Sequence, residues 1–298
     1  VPDRDTWNKI LHLDVTDDFD PATADRALQQ LISHHDALRS RFVAAEPPEG
    51  WQQVIGKAAP APTLQVVDLG GLPEGEQADE LEKSIAQLNG GHKLAEGRLI
   101  AATYFRGIAS RPNQLIISIH HLVMDDYSLQ ILLQDFETAY AQISCGKSVS
   151  LPEKTLSLKS WGERMTGLAA SDGLKQELPY WVSVLDNIPL ELPLDTPGGD
   201  NHESSQETVQ IRLNAAATQS LLNEANSAYH TQVNDILLTA LAQTFCSWMG
   251  TSELLIHLEG HGRDDLHAHG SPPARTVGWF TSMFPVRLRL PAAVDPGG

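Results

Sequence analysis

The run from Leu115 to Phe136, LIISIHHLVMDDYSLQILLQDF, constrains this chain more than any other stretch. Up to Leu122 it alternates as a strand does: Ile117, Ile119 and His121 share one face, while Ile116, Ser118, His120 and Leu122 share the other. After Met124 the spacing becomes helical through Ile131, Leu132, Asp135 and Phe136. A strand that persists to His121 sends two adjacent imidazoles in opposite directions. His120 is then held by the core, and His121 faces a cavity. Asp125, Asp126 and Ser128 are capping residues for the helix that follows, because short polar side chains accept from the free N–H groups of a first turn. An imidazole fixed between two rigid elements titrates near neutrality and suits proton transfer. Zinc is a poorer fit, since adjacent strand histidines diverge and no nearby cysteine or third histidine completes a tetrahedral set.

The flanking chain alternates strands and helices, which predicts an α/β (α+β) fold with a mixed sheet. Strands are predicted at 7–15, 51–55, 64–67 and 99–106, the last paired in a hairpin-like way with 114–122. Helices are predicted from Pro21 to about Phe42, at 74–88, 128–142 and about 173–185. His34 and His35 fall inside the first of these as packing or surface residues. Residues 187–206, rich in proline, glycine and polar side chains, read as a crossing between two lobes, 1–186 and 207–298. The second lobe opens on a strand at 207–213 and a helix at about 215–229. A helix from Val233 to about Met249, apolar on nearly all sides, is expected to be buried. The strand Leu254 to Leu258 leads into Glu259-Gly260-His261-Gly262-Arg263. Burial beside that strand would bring the Glu259 carboxyl toward neutrality and make it a usable base.

Composition narrows the classes of function. Of 298 residues 41% are hydrophobic and 20% charged, a globular balance. The 38 acidic residues outnumber the 21 basic ones, for a formal charge of −17, and no basic stripe is present; nucleic acid and anionic membrane surfaces are disfavoured partners. Cys145 and Cys246 form neither a disulfide framework nor a metal spacing, and a reducing compartment fits. No apolar run reaches transmembrane length and the first residues lack a signal-peptide core. Because Trp7 to Val15 already reads as a strand, the chain is expected to be an excerpt of a longer polypeptide.

Taken together, HHLVMDD at 120–126, VNDILLTALAQTF at 233–245, LEGHGRDD at 258–265 and RTVGWFTSMFPVRL at 275–288 resemble the epimerization domain of non-ribosomal peptide synthetases, a branch of the condensation-domain superfamily. WNKILHLDV and HHDALRSRF resemble the family's opening segment, and LPLDTPGGDN its interlobe crossing, so the likeness covers nearly all of the chain. It implies two chloramphenicol-acetyltransferase-like lobes in a V shape around a tunnel, the second lobe incomplete at Gly298. It implies a carrier (thiolation) domain as partner, presenting an aminoacyl or peptidyl thioester on phosphopantetheine, and neighbouring synthetase domains. Inversion at the α-carbon, L to D, would need no nucleotide, metal or pyridoxal cofactor in this domain.

By position, His121 and Glu259 would be the catalytic pair of this HHxxxD and EGHGR arrangement. His120, Asp125 and Arg263 would support them, with Arg263 reaching Asp125 from the other lobe. Asp126, Ser128, Gly260, His261, Trp279, Thr281 and Ser282 would line the tunnel or contact substrate. The family pattern has glycine where this chain has Asp126, and an aromatic residue where it has Leu129. If that glycine serves a positive φ, or if the thioester passes close by, an aspartate would slow or silence the reaction. Two other readings share the same residues: an amide-forming condensation-type acyltransferase, which has no need of Glu259, and a degenerate domain that only binds a carrier.

Overall fold

The computed structural model describes residues 4–46, 50–57, 64–188, 192–199, 202, 205–263 and 272–291. The chain divides into two compact units: Val1–Ala170 with Gly260–Ser282, and Ser171–Glu259 with Met283–Gly298.

In the first unit a four-stranded sheet runs in the order β1 (Asn8–Val15), β6 (Asn113–His120), β5 (Ile100–Arg106), β4 (Gln65–Asp68). The β1/β6 and β5/β6 pairs are antiparallel and β4/β5 is parallel. β6 lies inside the sheet, and its residues Leu115 to His120 are all buried. Its alternation serves two cores. Leu115, Ile117 and Ile119 pack with Ala24, Leu28, Leu31, Leu132 and Phe136 from helices α1 (Pro21–His34) and α3 (Asp126–Ser144). Ile116 instead joins Leu69, Leu88 and Phe105, beneath helix α2 (Glu74–Gly90). Burying residues on both faces makes β6 the hardest element to displace, and its C-terminal end is therefore a fixed point.

Helix α1 begins as its sequence demands. Asp20 accepts from the N–H groups of Ala22 and Thr23, and Pro21 takes the first helical position. It stops at His34, short of the Phe42 expected from spacing. His35 leaves the helix with extended backbone angles, a short 3₁₀ turn covers Asp36–Arg39, and β2 (Ser40–Ala44) then pairs with β3 (Trp51–Ile55). The Arg39 guanidinium ends the helix by donating to the carbonyls of Ile32 and Ser33. Helix α4 (Leu158–Ala169), capped by Ser157, is an element that apolar periodicity did not mark.

The second unit holds helix α5 (Asp172–Leu185), a helical stretch from Ala215 to Tyr229 built of α6 (Ala215–Gln219), a π-helical segment and α7 (Asn226–Tyr229), helix α8 (Val233–Met249), and the pair β7 (Glu253–Gly260) and β8 (Ser282–Arg289). Arg287 ties the β pair to α5: it reaches Glu253 at 2.5 Å and the Asp186 carbonyl at 3.0 Å. Two expectations fail in this unit. Residues 207–213 form no strand and pair with no described strand, and Val209 and Ile211 are 88% and 90% exposed. Helix α8 buries only Ala242 and Cys246 of its apolar surface. The unit boundaries also fall elsewhere than the proline-rich crossing, of which 189–191, 200–201 and 203–204 lie outside the described residues. No helix among the described residues is long and apolar enough to cross a membrane.

Beneath β6, on the α2 side, His92 bonds Ser118 Oγ through Nε2 at 2.8 Å. Burial pushes its pKa down from the usual 6.5 to about 4, partly offset by the Arg98 carbonyl. The folded state thus prefers the neutral ring. Its contribution is complete above about pH 6.5 and is lost as the pH falls toward 4, where the unfolded chain binds the extra proton, at a cost of about 2 kcal/mol by pH 5. Denaturant titrations at pH 7 and pH 5 should show His92→Gln losing less stability on acidification than the parent chain; equal losses would contradict this assignment.

Candidate functional site

The strand ends two residues earlier than expected. His120 is the last residue of β6, its N–H donating to the Leu99 carbonyl at 2.8 Å, and its side chain is wholly buried. Nε2 of His120 donates to the Arg4 carbonyl at 2.8 Å, and Nδ1 accepts from the N–H of Leu122 at 3.2 Å. Burial lowers its pKa and holds the ring neutral. His120 is a structural peg.

His121 opens a 3₁₀ turn, His121–Val123, with its N–H bonded to the Trp7 carbonyl at 2.9 Å. Its Nδ1 lies 2.8 Å from the Met124 carbonyl. A carbonyl only accepts, so Nδ1 carries the hydrogen and the lone pair of the neutral ring sits on Nε2. No hydrogen bond from the described residues engages that nitrogen. The ring is only partly buried, and its centroid lies 5.1 Å from that of Trp7 and 4.7 Å from that of Trp279. Two indoles therefore fix the plane of an imidazole whose free lone pair is already in the tautomer a proton acceptor needs.

Trp279 owes its place to a clamp between α3 and the returning segment 260–282. Asp125 caps α3 by accepting from Ser128 N at 2.7 Å, and the same carboxylate accepts from Phe280 N at 3.1 Å and from Arg263 Nη2 at 3.0 and 3.3 Å. Nη1 of Arg263 donates to the carbonyls of Pro273 and Thr276, at 2.6 and 2.7 Å. The guanidinium is sandwiched between the rings of Tyr127 (4.6 Å) and Phe280 (4.2 Å), and both charged side chains are only 3% exposed. Burial lowers the Arg263 pKa and the Asp125 carboxylate opposes that shift. Arg263 and Asp125 meet within one compact unit, not across two lobes as the sequence suggested.

Ser128, expected against substrate, is buried and saturated. Its hydroxyl donates to the Gly278 carbonyl at 2.8 Å and accepts from Gly278 N at 3.1 Å and Arg263 Nη2 at 2.8 Å. It has nothing left to offer a ligand. Asp126, the residue in the glycine position, is the first residue of α3, has no positive φ, and sits 74% exposed with Lys9 Nζ at 2.7 Å. The Lys9 bond and charge hold its pKa below the usual carboxylate value. No strain arises from the missing glycine, and the added charge carries its own counterion. Tyr127 and His261 face each other at 6.2 Å, and Nδ1 of His261 accepts from Arg263 N. Thr281 is partly buried and Ser282 exposed, at the start of β8.

Glu259 and Gly260 end β7, with Glu259 in the second unit. Glu259 is exposed, so the burial expected to tune it is not present. Asp264 and Asp265 lie outside the described residues.

Two features escaped sequence reasoning. Gly262 has φ +61°, and a Cβ there would stand 1.7 Å from the Phe280 carbonyl oxygen, so this glycine is required by backbone contact. Its position inside EGHGR was the only signal. The second is a further clamp on the same segment. Asp135, buried in α3, accepts from His35 Nε2 at 3.0 Å and from Arg275 Nη2 at 2.5 Å. His34, His35 and Asp135 stand close enough to hold a metal ion, but the guanidinium already supplies the positive charge that Asp135 faces. The partners lie 100 and 140 positions apart in sequence, which no local pattern reports.

A mixed sheet flanked by helices, whose inner strand ends in a buried and then a half-buried histidine followed by an aspartate cap paired with an arginine, defines a chloramphenicol-acetyltransferase-like fold carrying an HHxxxD site. The family model of the condensation domain matches residues 2–295, and the chain belongs to that family. It is 39% identical over 292 residues to one of the linear gramicidin synthase proteins of Brevibacillus parabrevis, covering 97% of this chain and 4% of that protein. Against tyrocidine synthase 1 of the same organism identity is 37%, over 95% of this chain and 26% of the relative. The chain thus spans a small part of these relatives. Among solved structures it is similar to the epimerization domain from the third module of tyrocidine synthetase B, with TM-score 0.87 and 35% identity over 96% of this chain and 64% of that one. The SgcC5 protein from Streptomyces globisporus, at 20% identity and TM-score 0.74, shares the fold; the match covers 97% of this chain and 63% of that one.

Removing one member of the buried ion pair strands the other. Asp125→Ala should cost about 3–5 kcal/mol in urea unfolding at neutral pH, and the double change Asp125→Ala with Arg263→Met should cost less than the sum of the single changes. Strict additivity, or a loss near zero for Asp125→Ala, would contradict the clamp.

Proposed function

We propose that this domain inverts the α-carbon of an aminoacyl or peptidyl residue held as a thioester on the phosphopantetheine of a carrier domain, within a cytoplasmic non-ribosomal peptide synthetase. The observation that carries this reading is His121, an imidazole flanked by two tryptophans whose Nε2 takes no hydrogen bond from any described residue. An amide-forming reaction uses such a histidine too. Glu259 in EGHGR and the 35% identity to an epimerization domain favour inversion.

The chemistry asks for two groups. A thioester α-proton is a weak acid, and its removal leaves an enolate whose carbon is planar. A single base that takes the proton from one face tends to return it to that face. Inversion follows when a second group donates to the opposite face. In this proposal His121 Nε2 and the Glu259 carboxyl flank the α-carbon; one removes the proton, the other supplies one, and reversal of roles serves the reverse direction. The protonated imidazole also offsets the developing oxyanion charge. The carrier supplies the thioester, and the domain contributes position and proton transfer without a cofactor of its own.

Incubation with an L-aminoacyl carrier protein in deuterated water separates the readings. Inversion gives α-deuterium and the D-isomer, condensation gives a new amide when an acceptor is present, and a degenerate domain gives neither. His121→Ala and Glu259→Gln should each reduce α-exchange by more than about 100-fold, in line with the usual contribution of about 10²–10⁴ from a general acid or base; undiminished exchange in both would sink the two-base mechanism. Asp126→Gly should leave the exchange rate within about twofold and cost about 1 kcal/mol of stability, since it removes a helix-starting carboxylate and adds a flexible residue. A large gain in rate would show that the aspartate does restrain the reaction.

A further inference from the structure

Trp7 borders more than His121. On the first unit it also walls a cavity of about 450 Å³ whose other sides are Phe42 from β2, Trp51 from β3, Leu94 and Leu122. That volume suits a small organic group rather than a water cluster. His120 contributes to the lining, yet both its ring nitrogens are already bonded, to the Arg4 carbonyl and the Leu122 N–H. The cavity therefore presents apolar surface with one cation. That cation is Arg4, whose guanidinium lies 4.8 Å from the Trp51 ring centroid. Trp7 and Trp51 are 49% and 51% exposed, although large aromatic faces are usually kept from water. Two half-exposed indoles lining one hollow, one of them 5.1 Å from the imidazole, mark a place where a flat apolar group would be taken out of water.

We infer that this cavity receives the side chain of the residue whose α-carbon is presented to His121, and that it selects large apolar, preferably aromatic, side chains. The inference rests on the reading that an aminoacyl thioester is the substrate, and it adds the class of amino acid. The connection is spatial. His121 is tied to the cavity wall both through its ring, against Trp7, and through its N–H, on the Trp7 carbonyl. His121 itself is not among the lining residues; the cavity adjoins it through the Trp7 ring and through Leu122, the next residue, which forms another wall. Indole faces reward stacking with an aromatic ring, and a small side chain such as a methyl leaves them wet. Arg4, already spread over Trp51, adds a cation–π surface and discourages a cationic side chain by like charge.

The test uses stable amides in which N–H replaces the thioester sulfur, so that binding is read without turnover. Calorimetric titration of the intact protein with phenylalanyl-, alanyl- and lysyl-aminopantetheine should give the phenylalanyl compound an affinity about tenfold above the alanyl one, with the lysyl compound weakest. Trp51→Ala, on an exposed strand edge outside the proton-transfer machinery, should bring the phenylalanyl affinity to within about twofold of the alanyl value. It should leave the alanyl affinity within about twofold of the parent value. Equal affinities in the parent protein, no binding of any of the three, or a phenylalanyl preference that survives Trp51→Ala would overturn the pocket assignment. Failure of the epimerase reading looks different: the binding preference persists while α-exchange in deuterated water is absent for every aminoacyl carrier.

Discussion

A buried arginine sandwiched between Tyr127 and Phe280 and held by one carboxylate determines where the rest of this site can be. Asp125 has two tasks at once: it caps the N-terminal end of α3 and neutralises Arg263. Residues 260–263 and 272–282 are thereby bolted to α3, the helix that follows β6. Such a pair is costly to bury and adds little net stability compared with apolar packing, but its geometry is demanding. What it supplies is register. Trp279 arrives beside His121 because Arg263, Gly278 and Phe280 each bond to Asp125 or Ser128, and Arg275 repeats the arrangement further along α3 at Asp135.

Much of this could be read from the sequence, and the reasons for the misses are physical. β6 was legible because both its faces are buried and its period is strict, and α3 because Asp125 and Ser128 announce a helix start. The divergence of His120 and His121 was also legible, although it arises from a change to a 3₁₀ turn and not from strand alternation. The early end of α1 was not, because Ala37, Leu38 and Phe42 continue a helical spacing while Arg39 caps the carbonyls behind them. Ser128 was misassigned for a similar reason: a serine soon after a histidine pair looks like a ligand contact until its three hydrogen bonds, to Gly278 and Arg263, are counted. Residues 207–213 alternate as a strand should, but a strand also needs an edge to pair with, and sequence spacing cannot supply one.

The histidines illustrate how environment divides labour among identical side chains. His92 and His120 lie beneath and at the end of the same strand, are pushed toward the neutral form by burial, and spend both ring nitrogens on structure. His121 differs by one position in sequence and by one hydrogen bond. Asp126 likewise looks disruptive as a letter in a motif, yet it stands in solvent with Lys9 as its counterion and helical backbone around it. In both cases the side chain's partners, not its place in a pattern, decide its chemistry.

All of this turns on the claim that the Met124 carbonyl fixes the His121 tautomer and leaves Nε2 open. Nitrogen-15 chemical shifts of the imidazole, recorded on the intact protein labelled at histidine and assigned by comparison with His121→Ala, report the protonated nitrogen directly. The neutral ring should carry its hydrogen on Nδ1, with Nε2 showing the shift of an unprotonated nitrogen. A neutral His121 protonated at Nε2 would contradict it, since the ring would then have no lone pair where the proposed proton transfer needs one.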